Sequence, residues 1–96
     1  MVDVIVTAAA EQDYAESLSW YAQRSESAAL GFEAEFGRAI RLICETPRRF
    51  PQCDGLHRFY LMRRYPFQVI YRETSHGVLI VAVAHAKRRP GYWRDR

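Results

Sequence analysis

Residues 63–93 decide the fold and read RRYPFQVIYRETSHGVLIVAVAHAKRRPGYW. Two runs rich in Val, Ile and Tyr flank a polar segment, residues 73–77. This pattern predicts a β-hairpin, because β-branched and aromatic residues suit pleated strands and Gly77 tolerates the positive φ of a tight loop. Residues 78–84 are all apolar. A run without alternation predicts an inner strand covered on both faces, so we expect the sheet to centre here.

The first 24 residues predict a strand and then a helix. Residues 2–6 alternate, which places three valines on one face of a strand. Thr7 can cap the helix that follows, and the helix is expected to run to about Arg24. Its apolar stripe consists of Ala10, Tyr14, Leu18 and Tyr21.

A second helix is expected to start at Ser25 or Ser27 and to end before Pro47, which restricts the preceding residue. Its inward stripe consists of Ala29, Phe32, Phe36, Ile40 and Ile43. Because only a few residues join the helices, they should form an antiparallel hairpin that covers one face of a sheet. Residues 47–55 then predict a loop, and residues 56–64 predict a further strand.

The predicted fold is α+β, with an N-terminal strand, an antiparallel two-helix hairpin, then three antiparallel strands forming one sheet with the helices on one face, and a basic C-terminal tail. A chain of 96 residues predicts one domain, residues 1–96. The apolar fraction of 49% argues against disorder. Neither an export signal nor a membrane span is recognisable, so we expect a cytoplasmic protein.

Chemistry that depends on a metal or a cofactor is not predicted. Cys44 and Cys53 form no C-x-x-C pair, and the three histidines are scattered. Phosphate-binding glycine motifs are also missing from the sequence. We therefore expect reduced structural thiols, no metal site and no cofactor.

Charge is distributed very unevenly along the chain. Residues 1–47 hold three arginines against eight acids, a net −5, whereas residues 48–96 hold eleven cations against three acids, a net +8. Thirteen of the fourteen cations are arginine, which makes bidentate contacts with carboxylate or phosphate. This favours an anionic partner for the C-terminal half, the alternative being that the halves neutralise one another across the fold.

The order of elements and two sequence runs resemble the RelE/ParE family of type II toxins. The runs are RYPFQVIYR at residues 64–72 and VLIVAVAHAKRRPGYW at residues 78–93, and Ala29 and Phe32 match in kind. The resemblance is nearer to the ParE-like branch. It implies a toxin neutralised by a cognate, ParD-like antitoxin in a hetero-oligomer, with DNA gyrase as the target.

Members of the RelE-like branch are instead ribosome-dependent mRNA endonucleases, and this is the alternative function. The resemblance implies an arginine on the third strand of such nucleases, but the corresponding residue here is Gln68, and Lys87 is the only lysine. Gln68 cannot stabilise a developing phosphorane charge as arginine does. A nuclease would have to use Arg64, Arg72, His85 and Tyr92, with Arg64 and Arg72 expected on the face of Gln68. A third possibility is a family member without toxicity that only binds its antitoxin.

Two sets of binding residues are expected. The target-binding set is Lys87, Arg88, Arg89, Tyr92 and Trp93. The antitoxin-binding set is Arg48, Arg49, Arg58 and Arg63, beside the groove between the helix hairpin and the sheet. His85 has a structural interpretation as well, a hydrogen bond to the adjacent backbone where the strand leaves the sheet. For Trp93 the structural interpretation, packing against the core or the sheet edge, is favoured.

Overall fold

The computed structural model describes residues 2–96, and these contain the six predicted elements in the predicted order. They are β1 (Asp3–Val6), α1 (Ala8–Ala22), α2 (Glu26–Glu45), β2 (Arg58–Leu61), β3 (Phe67–Glu73) and β4 (Gly77–His85). The α+β fold is confirmed. Both helix starts are capped by a side-chain oxygen: Thr7 accepts from the backbone N–H of Ala10, and Ser25 accepts from that of Ala28.

One sheet contains all four strands in the order β1-β4-β3-β2. The three C-terminal strands are antiparallel, as predicted. β1 lies parallel to β4, with Asp3 beside Gly77 and Val6 beside Ile80, so the sheet is mixed. Gly77 has a φ of +157°, and a Cβ at this position would overlap the carbonyl oxygen of Asp3. A glycine is therefore required where β1 joins the sheet.

Two strands are shorter than the sequence predicted. Residues 62–66 do not belong to a strand but connect β2 to β3. Pro66 has no N–H to donate to a strand partner, and Tyr65 turns towards the helices, where its hydroxyl donates to the carbonyl of Ala28. The predicted strands of residues 56–64 and 63–72 are wrong at this junction, because Tyr65 packs against α2 instead of continuing the pleat.

Both faces of the sheet are covered around β4, as its continuous apolar run predicted. The helix-side core contains the stripes of both helices, with Phe32 and Ile43 fully buried. The opposite core contains Ile70, Val81, Ala82, Ala84 and Trp93. β1 contributes less, because it is an edge strand whose Ile5 is 65% exposed.

A β-bulge in β4 changes which side chains face the helices. Ile70 pairs with Ala82 and Tyr71 pairs with Ile80, which leaves Val81 as the extra residue. Ile80 belongs to the helix-side core, whereas Val81 and Ala82 both belong to the opposite core. The alternation is therefore reset, and Val83 returns to the helix side.

Candidate functional site: a cleft beside an anchored tail

A cleft of about 670 Å³ opens where α1 meets one end of the sheet. Its lining residues are Asp13, Glu16, Ser17, Trp20, Tyr21, Pro66, Phe67, Val83, His85, Ala86, Lys87 and Arg88. Aromatic and aliphatic side chains from α1, β3 and β4 are combined with two cations from the tail. Trp20 is half exposed and carries the guanidinium of Arg24 3.7 Å above its ring. The cleft thus offers an apolar surface with positive charge at one side.

Asp13 is the buried carboxylate behind this cleft, with an exposed fraction of 4%. Its Oδ2 accepts hydrogen bonds from the Val83 N–H (3.1 Å), the Tyr92 hydroxyl (3.0 Å) and Arg96 Nη1 (2.7 Å). Its Oδ1 accepts from Arg96 Nη2 at 3.1 Å and lies 3.6 Å from Arg88 Nη1. One side chain of α1 therefore binds β4 and three side chains of the tail.

These contacts provide hydrogen-bond partners for backbone groups along the open edge of β4. β1 pairs with β4 only as far as Ile80, so the following residues of β4 have no neighbouring strand on that side. The N–H of Val83 donates to Asp13, and the carbonyl of Val81 accepts from Arg96 Nη1 at 3.1 Å. Side chains thus replace a strand partner along this segment, which also blocks the edge against pairing with another chain.

The tail, residues 86–96, is a series of turns packed against the sheet. Lys87 and Arg89 are exposed, and the side chain of Arg88 is 49% exposed. The Arg88 guanidinium lies 3.9 Å from the centre of the Tyr92 ring, a stacked cation–π geometry. Burial and the neighbouring Asp13 raise the pKa of Tyr92 to about 12, so its hydroxyl remains a hydrogen-bond donor at neutral pH.

Trp93 is buried in the opposite core and contacts His57 edge-to-face, with ring centroids 4.8 Å apart. The favoured structural interpretation of Trp93 is therefore confirmed. His57 lies in the loop before β2 and is buried, and its Nδ1 lies 3.2 Å from both carboxylate oxygens of Asp54. Backbone N–H groups of Leu56 and His57 donate to Asp54 and are the main cause that lowers its pKa to about 2.

A family model described as the ParE toxin of the type II toxin-antitoxin system parDE matches residues 4–90. This chain belongs to the ParE toxin family. The resemblance predicted from residues 63–93 is thereby confirmed, and the matched region ends at Pro90, so it includes the cleft and the basic run at the start of the tail.

Solved structures support the same fold. A chain of the chromosomal ParDE toxin-antitoxin system from P. aeruginosa is 15% identical to this ParE-family chain, with a TM-score of 0.78. The alignment covers 91% of this chain and 98% of that chain. No curated protein sequence matches significantly.

Two residues of the alternative nuclease, Arg72 and His85, lie far apart in this ParE-family fold. His85 pairs with Phe67 in the register of β3 and β4, and Arg72 lies five residues further along β3, about 16 Å away. Arg72 follows Ile70 by two positions in β3 and therefore lies on the same face, towards the opposite core, whereas the His85 ring packs edge-to-face on Phe67 in the helix-side core. Arg64 was expected to share the face of Gln68 by strand alternation. This prediction is wrong, because Arg64 lies in the connection before β3.

His85 and Tyr92 are engaged in structural contacts. His85 Nδ1 accepts a hydrogen bond from the Lys87 N–H at 3.0 Å, the contact that its structural interpretation predicted. Tyr92 donates its hydroxyl to Asp13. Among residues 2–96 no three His, Cys, Asp or Glu side chains lie close enough together to hold a metal ion. No helix in the same range is long and apolar enough to cross a membrane.

The four arginines expected to bind an antitoxin lie at two ends of the sheet. Arg48 is 83% exposed and pairs with Glu73 at 3.3 Å, and Arg49 is exposed beside it. Arg58 is mainly structural, because its Nη1 donates to the carbonyl of Phe50 at 2.7 Å. Arg63 is exposed after β2, at the end of the sheet where the cleft opens.

Sequence reasoning missed Asp13. From the sequence alone, Asp13 is one of the acidic residues near the positive end of α1, where a negative charge favours the helix. One signal was available: Asp13 follows Ala10 by three positions and therefore lies on the same inward stripe. A charged residue on a buried stripe requires a partner, which tertiary contacts supply here.

Proposed function

We propose that this toxin acts in the cytoplasm on DNA gyrase, without catalysing a reaction itself, and that a ParD-like antitoxin neutralises it. The observation that carries the proposal is the ParE-family match, which extends through the basic run Lys87, Arg88 and Arg89. The separation of about 16 Å between Arg72 and His85 along the sheet supports it, because general acid–base catalysis requires groups within hydrogen-bond reach of one substrate.

The proposed target-binding surface is the exposed part of the tail. Lys87 and Arg89 point their charges into solvent, and Arg88 is half exposed above the ring of Tyr92. Trp93 belongs to this surface as its support, since it is buried beneath the turns that carry the cations. Positive charge on a fixed support suits an acidic surface of a protein target and would steer its association.

The proposed antitoxin site begins in the cleft and continues along the sheet. The apolar lining of the cleft suits an amphipathic segment, and Lys87 and Arg63 can pair with its acidic residues. Arg48, Arg49 and Arg58 lie near Glu73, at the far end of β3 from the cleft. An antitoxin that contacts both ends must therefore extend along the molecule, which agrees with a segment that wraps around the toxin.

Substitution of tail cations tests the gyrase proposal. We expect Arg88→Gln/Arg89→Gln to abolish growth inhibition and inhibition of supercoiling by purified gyrase. Folding should be preserved, because Arg89 is exposed and Asp13 remains paired with Arg96 when Arg88 is replaced. Arg48→Gln/Arg49→Gln removes the same charge from the far end and should leave gyrase inhibition unchanged. Full toxicity of the tail variant at matched soluble protein level would exclude the tail as the target-binding surface.

His85→Gln separates gyrase inhibition from the nuclease alternative. Glutamine can preserve a hydrogen bond but cannot exchange a proton near neutral pH, so a nuclease that used His85 should lose its rate roughly a hundredfold or more. A gyrase inhibitor should keep its toxicity and induce the DNA-damage response. Arrest of translation with cleaved messages would favour the nuclease, and antitoxin binding without growth inhibition by the unmodified chain would favour the non-toxic alternative.

A further inference from the structure

We infer that Asp13 is a positioning residue that holds the basic tail in the geometry needed for target binding. The inference rests on the proposed function of the tail. Asp13 itself does not reach the target surface, because it is buried between α1 and the tail. It acts through Arg88, Tyr92 and Arg96, which approach its two carboxylate oxygens from different positions along the tail.

Local backbone bonds alone do not orient the tail. Ala86 donates its N–H to the carbonyl of Pro66, which fixes the start of the tail on the sheet. After this point, the backbone hydrogen bonds of the tail join residues three positions apart, as from Arg88 to His85 and from Arg94 to Gly91. Such turns fix local shape but not placement on the fold. Placement beyond Ala86 therefore depends on side chains: the contacts with Asp13, the burial of Trp93 and the 3.7 Å ion pair of Arg94 with Asp54.

The exposed cations are fixed on both sides, by the bond of Ala86 to Pro66 before them and by the contacts with Asp13 after them. Lys87 and Arg89 lie between the fixed Ala86 and the anchored Tyr92, and Arg88 itself reaches Asp13. Arg96 makes a two-point ion pair with the carboxylate, a geometry that restricts direction as well as distance. Arg88 is farther from Asp13 and half exposed, so it can remain paired while its outer edge faces a target.

Asp13→Asn tests this role because it keeps a side-chain oxygen for the Val83 N–H but removes the charge that binds the arginines. Trypsin cleavage after Lys87 and Arg88, followed by mass spectrometry, reports how often the tail opens; cleavage after Arg89 is disfavoured by Pro90. We expect cleavage at these sites to become at least about tenfold faster, since two charge-assisted contacts are lost. Glu16→Gln is the control. It makes the same charge change one turn away in the same cleft, and we expect it to leave the rate of tail cleavage unchanged.

Arg96→Gln provides a second variant in case Asp13→Asn does not fold. Arg96 is not part of the proposed target-binding set, so a loss of toxicity in Arg96→Gln reflects positioning and not a missing contact. The double variant Asp13→Asn/Arg96→Gln should open its tail less than the two single effects combined predict, because both substitutions break the same ion pair. Glu16→Gln/Arg96→Gln should instead combine the separate effects.

The outcomes separate this inference from the proposed function. Faster tail cleavage together with lost gyrase inhibition supports it. Unchanged cleavage in both Asp13→Asn and Arg96→Gln overturns it. Faster cleavage with full toxicity also overturns it if Arg88→Gln/Arg89→Gln is inactive, and the proposed function then stands. If that tail variant is toxic as well, the target-binding surface lies elsewhere and both proposals fail.

Discussion

The hydroxyl of Tyr65 lies directly over Gly31, in the space that a Cβ at position 31 would occupy. From there it donates a 2.8 Å hydrogen bond to the carbonyl of Ala28. The ring of Tyr65 also packs edge-to-face on Phe32 and Tyr21. Gly31 thus creates the site through which the β2–β3 connection attaches to both helices, at the cost of about 1 kcal/mol of helix propensity.

This arrangement predicts coupling between Gly31→Ala and Tyr65→Phe. Gly31→Ala alone should destabilise the fold, because the new methyl group displaces the Tyr65 hydroxyl and breaks its hydrogen bond, worth about 0.5–1.5 kcal/mol. In the Tyr65→Phe background the clash is relieved, so the double variant should be about 1 kcal/mol more stable than the two single effects predict. Urea unfolding of the unmodified protein, the two single variants and the double variant gives the four free energies of unfolding that are compared.

Gly37→Ala is the matched control in the same helix. No atom lies within 4 Å of a Cβ at this position, so the substitution should stabilise by up to about 1 kcal/mol in either background. Strict additivity of Gly31→Ala and Tyr65→Phe would show that the Tyr65 hydroxyl does not depend on the glycine.

Core substitutions should follow burial. Ile70 is fully buried beneath the tail, so Ile70→Ala should lower the free energy of unfolding by about 2–5 kcal/mol. Phe36 is only half-buried against Tyr14, and Phe36→Ala should fall at the lower end of that range. Leu30→Ala, at a residue that is 59% exposed, should change stability by about 0.5 kcal/mol or less. A native-like unfolding midpoint for Ile70→Ala would contradict this assignment of the core.

Alkaline pH should destabilise the fold through Tyr71. Burial raises the pKa of Tyr71 from its ordinary value of 10.0 to about 12, and its hydroxyl donates to the carbonyl of Pro47. The unfolded chain therefore loses this proton near pH 10 while the folded chain keeps it. Stability is full below pH 10 and falls between about pH 10 and 12, by on the order of 2–3 kcal/mol for this residue.

Tyr71→Phe should flatten this part of the pH profile, although the variant loses the hydrogen bond to Pro47 at every pH. Chemical unfolding at a series of pH values from 8 to about 12 measures the slope. Tyr60→Phe is a suitable control on the neighbouring strand. An unchanged slope in Tyr71→Phe would assign the alkaline loss to other groups, among which Tyr92 has a similarly raised pKa.

Antitoxin binding should divide into a charge-dependent and an apolar contribution. Arg48→Gln/Arg49→Gln should mainly slow association and weaken its salt dependence, because these arginines are exposed and lie far from the cleft. Trp20→Ala should mainly speed dissociation, since it removes apolar surface from the cleft. Association and dissociation rates measured at low and high salt distinguish the two. An affinity that does not change with salt would contradict the electrostatic contribution.

Local patterns in the sequence were sufficient for the elements and most of the core. The stripe through Phe32 and Ile43 and the apolar run of β4 follow from periodicity, which depends only on neighbours along the chain. Family membership was also predictable, because the order of the elements together with the runs at residues 64–72 and 78–93 resembles the family. A groove was expected between the helix hairpin and the sheet, but the half-exposed Trp20 in the lining of the cleft was not predicted.

Strand pairing and contacts between distant residues decided the features that local patterns do not predict, namely the bulge in β4, the direction of β1 and the contacts of Asp13. The bulge at Val81 places His85 on the helix side, and a bulge depends on the register between two strands and leaves no periodic signal. β1 lies parallel to β4, a pairing between the first and the last strand of the chain that no local pattern specifies. Asp13 meets Arg96 across 83 positions, at an edge of β4 that is open only because β1 is short. A contact of this kind exists only after the chain has folded, so the sequence determined which groups were present and the tertiary structure determined which of them met.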